Sequence, residues 1–252
     1  MAFPVRKRRI DGSTERSATL PFLIIARGAD MLGELFDPKA ELFINERMRP
    51  HWSQAGAIVF VTFRTKDSIP KDVLHRWTRE KNDWIDRRAA ALQQNLRKGK
   101  MWHQVLSTLD EKTRGDFHRE FNRKQEDFLD TCCGKCLLKI PEFAKIVANS
   151  LMHFDGDRYR MGDFVVMPNH VHLLAAFASA EIMEQQFDSW LHYTATQINR
   201  RTGDRGHFWQ QEPFDHLVRS PEQYEYLRQY IKDNPAKANL KSGEFYYRRS
   251  AP

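Results

Sequence analysis

His170 and His172 stand two apart in the run Val166-Met167-Pro168-Asn169-His170-Val171-His172-Leu173-Leu174. On a β-strand successive side chains alternate between faces, so residues i and i+2 point the same way. Both imidazoles then lie on one side of a sheet, followed there by Leu174, while Val171 points into the opposite, packed face. Two converging imidazoles make a natural ligand pair for a divalent metal. A bare His-x-His also describes two half-buried histidines bonded to backbone; the flanking Val-Val-Met-Pro-Asn and Leu-Leu make the motif more specific. A second group lies in Tyr230-Ile231-Lys232-Asp233-Asn234-Pro235. Tyr230 and Asn234 are four apart, hence one turn apart on one helical face. A phenol is a useful nucleophile against phosphorus when a metal offsets the charge of the phosphate, because the phosphotyrosine ester keeps the bond energy for a later transfer. Tyr224 and Tyr226 read as packing residues, and Tyr193 is the runner-up nucleophile.

These groups need elements to hold them. Ala57 to Phe63 is a short, nearly continuous run of β-branched and aromatic residues, as in the middle of a sheet. After Pro70, Val73, Leu74, Trp77, Trp84 and Ile85 recur at helical spacing to about Lys98. A polar helix follows over about 103–130, and another starts after Pro141. Strands are expected at Tyr159–Met167 and from His170 to about Phe177, with Pro168-Asn169 in the turn. An amphipathic helix from about Ala180 to Arg201, a strand at 207–218 and a helix from Pro221 to near Asn234-Pro235 complete the order. That order implies an α+β fold with helices packed on one face of an antiparallel sheet. Residues 1–50 read as a basic, irregular lead-in, and 243–252 as a tail.

The chain has 252 residues, 40 Lys plus Arg against 33 Asp plus Glu, and a net charge of +7. A hydrophobic content of 41% excludes wholesale disorder. No apolar run is long enough to span a membrane, the N-terminus lacks a signal-peptide core, and the 3 cysteines make no disulfide framework. A soluble, cytoplasmic, nucleoid-associated protein is expected. Cys133-x-x-Cys136 has no second cysteine pair and is set aside as a zinc site. The positive balance suits a polyanion partner. Its clusters are Arg6-Lys7-Arg8-Arg9, then Arg200 and Arg201 with Arg205, and Arg248-Arg249. Phe208 and Trp209 could stack bases or fill the core, and His192, His207 and His216 could lie near the site.

The histidine run, together with Tyr230-Ile231-x-x-Asn234-Pro235-x-Lys237-Ala238, resembles the REP-associated tyrosine transposases, single-tyrosine members of the HUH transposases. The resemblance extends to His51-Trp52, Gly56 to Arg64 with Ser68-Ile69-Pro70, and His153 to Tyr159. It continues at Trp190-x-x-Tyr193-Thr194-Ala195, Ile198-Asn199-Arg200 and Phe208-Trp209-Gln210-x-Glu212-x-Phe214-Asp215. It implies a ferredoxin-like HUH core over 51–242, with inserted helices at about 100–150. It further implies that His170, His172 and Asn234 bind Mg²⁺ or Mn²⁺, and that Tyr230 attacks single-stranded DNA, leaving a 5′-phosphotyrosine and a free 3′-hydroxyl. The implied substrates are short palindromic repeats that fold as hairpins. The implied DNA contacts are Arg200, Arg201, Arg205, Lys237 and Trp209, with Leu191 standing where the family often has lysine. The chain could act as a monomer or homodimer. A hairpin-binding protein that no longer cleaves is the alternative. Histidine-triad nucleotide hydrolases are disfavoured because their third alternating histidine falls at Leu174.

Overall fold

The computed structural model describes residues 7–9, 31–46, 50–91 and 100–250. Arg6, the Leu23-Ile24-Ile25 patch and the end of the helix expected to reach Lys98 lie outside the described residues. The chain divides into two compact units, one of Met1–Lys66 with Leu137–Pro252, the other of Asp67–Cys136.

In the first unit, β1 (Lys7–Arg9), β2 (Phe43–Glu46) and β3 (Pro50–Ser53) form a small antiparallel sheet. The expected irregular lead-in thus contains strands. They are too short and too sparsely apolar to show a period. β4 (Ile58–Arg64) is the first strand of the larger sheet.

The second unit holds α1 (Lys71–Ala91), α2 (Trp102–Leu106) and α3 (Glu111–Leu129). Trp84, Ile85, Val105, Leu106, Phe117 and Phe121 form one core within it, and Ile69, Val73, Trp77 and Leu129 another. The inserted unit therefore begins and ends earlier than the expected 100–150.

The first unit resumes with α4 (Pro141–Met152), β5 (Tyr159–Val166), β6 (His170–Phe177), α5 (Ala180–Thr202), β7 (Phe214–Leu217), α6 (Pro221–Lys237) and β8 (Tyr246–Arg248). The sheet order is β7-β4-β6-β5-β8, with every pairing antiparallel. Numbered as they occur, β4, β5, β6 and β7 lie in the order 4-1-3-2, with a helical connection before the second strand and another before the fourth. That is the β-α-β-β-α-β ferredoxin-like topology, and β8 extends it at one edge. β4 and β6 are central, as their continuous apolar runs require.

Alternation divides the core. Val59, Val61 and Phe63 of β4 with Val171, Leu173 and Ala175 of β6 pack under α4 and α5, against Val147, Leu151, Phe187 and Trp190. Ile58 and Phe60 with Leu174 and Ala176 pack under α6, against Tyr224, Leu227 and Ile231. The two crossover helices share one face, but α6 covers the other, so helices pack on both faces of the sheet rather than on the one expected. Helix ends carry ordinary signals: Ser179 caps α5 by accepting from the Ile182 N–H at 3.3 Å, Gly203 closes it at φ 73°, and Ser220 with Pro221 starts α6. The strand expected at 207–218 is reduced to 214–217. Pro213 cannot donate to a ladder, and before it only Trp209 makes an isolated bridge, to Thr65. Among the described residues no helix is long and apolar enough to cross a membrane.

Candidate functional site

The histidines lie on the α6 face of β6, wholly buried. Their ring centroids are 4.6 Å apart. Each Nδ1 has a partner. Asn169 Oδ1 lies 2.7 Å from His170 Nδ1, and Thr62 Oγ1 lies 2.8 Å from His172 Nδ1. Thr62 is brought there by register, since it faces His172 across the β4–β6 pair. A carboxamide oxygen only accepts, so His170 carries its proton on Nδ1 and its lone pair on Nε2. Such partners orient a ligand imidazole and set its tautomer.

Burial holds the His170 imidazole down at about 4, partly offset by a hydrogen bond to the Asn234 side chain. Burial also drives His172 well below its ordinary value, with the neighbouring His170 and Lys237 acting in the same direction. Both rings are neutral at pH 7, the form that binds metal.

α6 brings the second group. The Tyr230 hydroxyl is 3.4 Å from His172 Nε2, and its ring lies edge-on to that imidazole at 5.2 Å between centroids. Asn234, one turn on, is fully buried. Lys237 Nζ stands 4.8 Å from the Tyr230 ring centroid, a cation–π contact. Pro235 lies within the helix, which continues to Lys237 rather than ending at Asn234-Pro235. The interruption costs little so near the helix end, where Ala238 N–H still bonds Asn234 O at 3.1 Å and Leu240 N–H bonds Pro235 O at 2.9 Å.

The helix is tied to the sheet by Asp163, a buried carboxylate in the irregular stretch of β5. It accepts from the Ser250 N–H at 2.8 Å and the Ser250 hydroxyl at 2.9 Å, and Arg228 Nε of α6 lies 3.5 Å away. Asp163→Ala should therefore cost about 2–3 kcal/mol and loosen the helix that holds Tyr230. Urea unfolding checks the first effect, and the rate of any Tyr230 chemistry checks the second.

His170, His172, Tyr230, Asn234 and Lys237 thus come together. Arg200, Arg201 and Arg205 do not, for they lie at and beyond the end of α5, whose buried side chains pack on the opposite face. Arg201 is engaged with Glu142 at 2.8 Å and with Gln197. Trp209 is removed from the stacking role: it is buried among the α5-side core, and its indole N–H donates to Thr194 Oγ1 at 2.8 Å. Tyr193 is half-exposed on α5. The residues that sequence reasoning missed are Thr62 and Phe60. Phe60 stacks on His172 at 5.4 Å and meets His216 at 5.2 Å. Alternation within β4 was the available signal, but the register that aligns Thr62 with His172 is not written in either strand alone.

Among the described residues no three His, Cys, Asp or Glu side chains cluster as a metal cage. A metal here must take its third donor from elsewhere, and Asn234 offers an amide oxygen. Two neutral imidazoles and a carboxamide fit a divalent cation, and suit Mn²⁺ better than the harder Mg²⁺.

Three imidazoles, the buried pair and the half-buried His216, also set a pH dependence. His216, like His170, is held at about 4, first by burial and then by Arg219. An unfolded histidine titrates near 6.5, so below that pH the unfolded chain takes up protons that the fold refuses. Stability should fall as pH drops from about 6.5 toward 4, by up to about 1.4 kcal/mol per pH unit for each histidine. Thermal melts at pH 7.5 and 5 check it; equal midpoints would contradict the burial of neutral rings.

The fold and the site define an α+β protein of ferredoxin-like topology with a buried histidine pair facing a tyrosine on a covering helix. No family model matches the chain, and no curated protein matches it. It is similar to a solved structure of a REP-associated tyrosine transposase bound to a REP hairpin. The two are 13% identical over 76% of this chain and 73% of that one, with a TM-score of 0.38. A likeness at that level says nothing of this chain's chemistry.

Proposed function

We propose that this protein is a metal-dependent single-stranded DNA endonuclease and strand transferase that cuts hairpin-forming palindromic repeats through a 5′-phosphotyrosine intermediate. The observation that carries the proposal is the Tyr230 hydroxyl 3.4 Å from His172 Nε2, with His170 and Asn234 buried beside them. Thr62 and Asn169 hold the imidazoles in orientation, and Lys237 beside Tyr230 supplies a cation toward phosphate. In the proposed step the Tyr230 oxygen forms a bond to phosphorus, the bond from phosphorus to the 3′-oxygen breaks, the phenol proton is released and the 3′-oxygen takes one up. His170, His172 and Asn234 would hold Mg²⁺ or Mn²⁺, which supplies charge neutralisation at the scissile phosphate when bound. The net charge of +7 suits a polyanionic substrate.

The test is to incubate the full chain with Mn²⁺ and hairpin-bearing single strands, digest it, and look by mass spectrometry for a nucleotide on the peptide carrying Tyr230. Modification of Tyr230 is expected. Modification only at Tyr193, or of no tyrosine on a strand that is cut, would remove the assignment.

A further inference from the structure

We infer that the cleft between β3 and β7 holds one unpaired nucleobase of the bound strand. This rests on the single-stranded DNA reading above and adds to it the place where the chain beside the reacting phosphate is gripped. The cleft has a volume of about 170 Å³ and is lined by Phe36, Trp52, Asp215, His216, Leu217 and Arg219.

Trp52 is the first observation. Alternation along β3 turns it away from the buried His51 and Ser53, and it is 37% exposed. An indole turned outward beside a second aromatic ring, Phe36, offers the flat apolar surfaces on which bases stack without regard to sequence. Arg219 is exposed at the rim, its guanidinium 5.7 Å from the Phe36 ring centroid, and brings positive charge where a phosphodiester would pass.

The carboxylate in the wall already has a partner. The Asp215 side chain is 1% exposed and bonded to His51 Nδ1, with Glu212 3.9 Å from the other ring nitrogen. What Asp215 and Leu217 can offer the cleft is backbone. β7 is the edge strand of the large sheet, and just past its end the Val218 N–H donates to Ile58 O at 2.8 Å, while the Val218 C=O accepts from the Phe36 N–H at 2.8 Å. By alternation the N–H and C=O groups of Leu217 and Asp215 then point to the outer edge. A donor and an acceptor on one residue match the edge of a base.

The cleft also lies near the histidine pair. His216, in its wall, is 5.2 Å from the Phe60 ring, and Phe60 is 5.4 Å from His172. A single ring therefore lies between the two sites, so a phosphate at the histidine pair leaves a nearby base at the cleft.

The experiment irradiates the full chain with a mixed-sequence single strand carrying 5-iododeoxyuridine and maps the crosslinked peptides. Affinities of the same strand for the parent, Trp52→Ala and Arg219→Ala are measured by fluorescence anisotropy. Crosslinks on Trp52 or Phe36 are expected, with affinity about ten-fold weaker in Trp52→Ala and about three-fold weaker in Arg219→Ala. Should Trp52→Ala fail to fold by circular dichroism, the exposed rim variant Arg219→Ala and the crosslink map decide. Crosslinks only elsewhere, with affinities within about two-fold of the parent, would overturn the inference, as would no binding of single strands. Phosphotyrosine at Tyr230 is scored in the same samples. A Trp52 crosslink without it leaves the cleft standing and removes the cleavage reading; phosphotyrosine without a crosslink at the cleft does the reverse.

Discussion

Tyr230→Phe is expected to abolish covalent attachment to DNA, a loss on the order of 10⁴-fold or more, while hairpin binding stays nearly intact. The substitution keeps the ring and removes one oxygen. The contacts of that ring with Phe60 at 6.1 Å, His172 at 5.2 Å, Tyr226 at 6.4 Å and the Lys237 ammonium at 4.8 Å all survive. What is lost is the hydroxyl 3.4 Å from His172 Nε2, so a drop in attachment with an unchanged melting temperature assigns the nucleophile. Tyr193→Phe is the control. Its helix packs on the α4 side of the sheet, with the histidines on the other face, and attachment should be unaffected. Attachment that survives in Tyr230→Phe and vanishes in Tyr193→Phe would reverse the assignment.

His170→Ala is expected to be as damaging, and added Mn²⁺ should not restore it. His170 is fully buried, and its loss leaves Asn169 and Asn234 facing a void. Part of the effect will thus be lost stability, about 1–3 kcal/mol for the polar groups left behind. Mn²⁺ binding followed by electron paramagnetic resonance separates the two contributions. Tyr230→Phe should bind the ion like the parent, whereas His170→Ala should bind it at least about ten-fold more weakly. Equal binding in a folded His170→Ala protein would mean that His170 holds no metal.

Why some of this was legible in the sequence follows from the periods involved. The alternation in His170-Val171-His172-Leu173-Leu174 put both imidazoles opposite Val171, and the structure has them on the face with Leu174. The four-residue step from Tyr230 to Asn234 likewise placed both on one face of α6. Periodicity marks an apolar face without naming what covers it. Trp77 and Trp84 read as one apolar helix face with nothing to say what it packs on; they fill cores of the 67–136 unit, and α4 takes the crossover position. Register and long-range pairing were beyond reach too: nothing local aligns Thr62 with His172, or His51 with Asp215 across 164 positions. Trp209 could be read either as a stacking platform or as core, and only its bond to Thr194 decides.

The most direct measurement incubates the purified protein with single strands from the palindromic repeats flanking its own coding sequence, with Mn²⁺ or with EDTA, on a denaturing gel. Cut DNA together with a denaturation-resistant protein–DNA adduct, both present with Mn²⁺ and absent with EDTA, is the expected result. Tight hairpin binding with neither cut nor adduct would contradict it, leaving a protein that recognises hairpins without cleaving them.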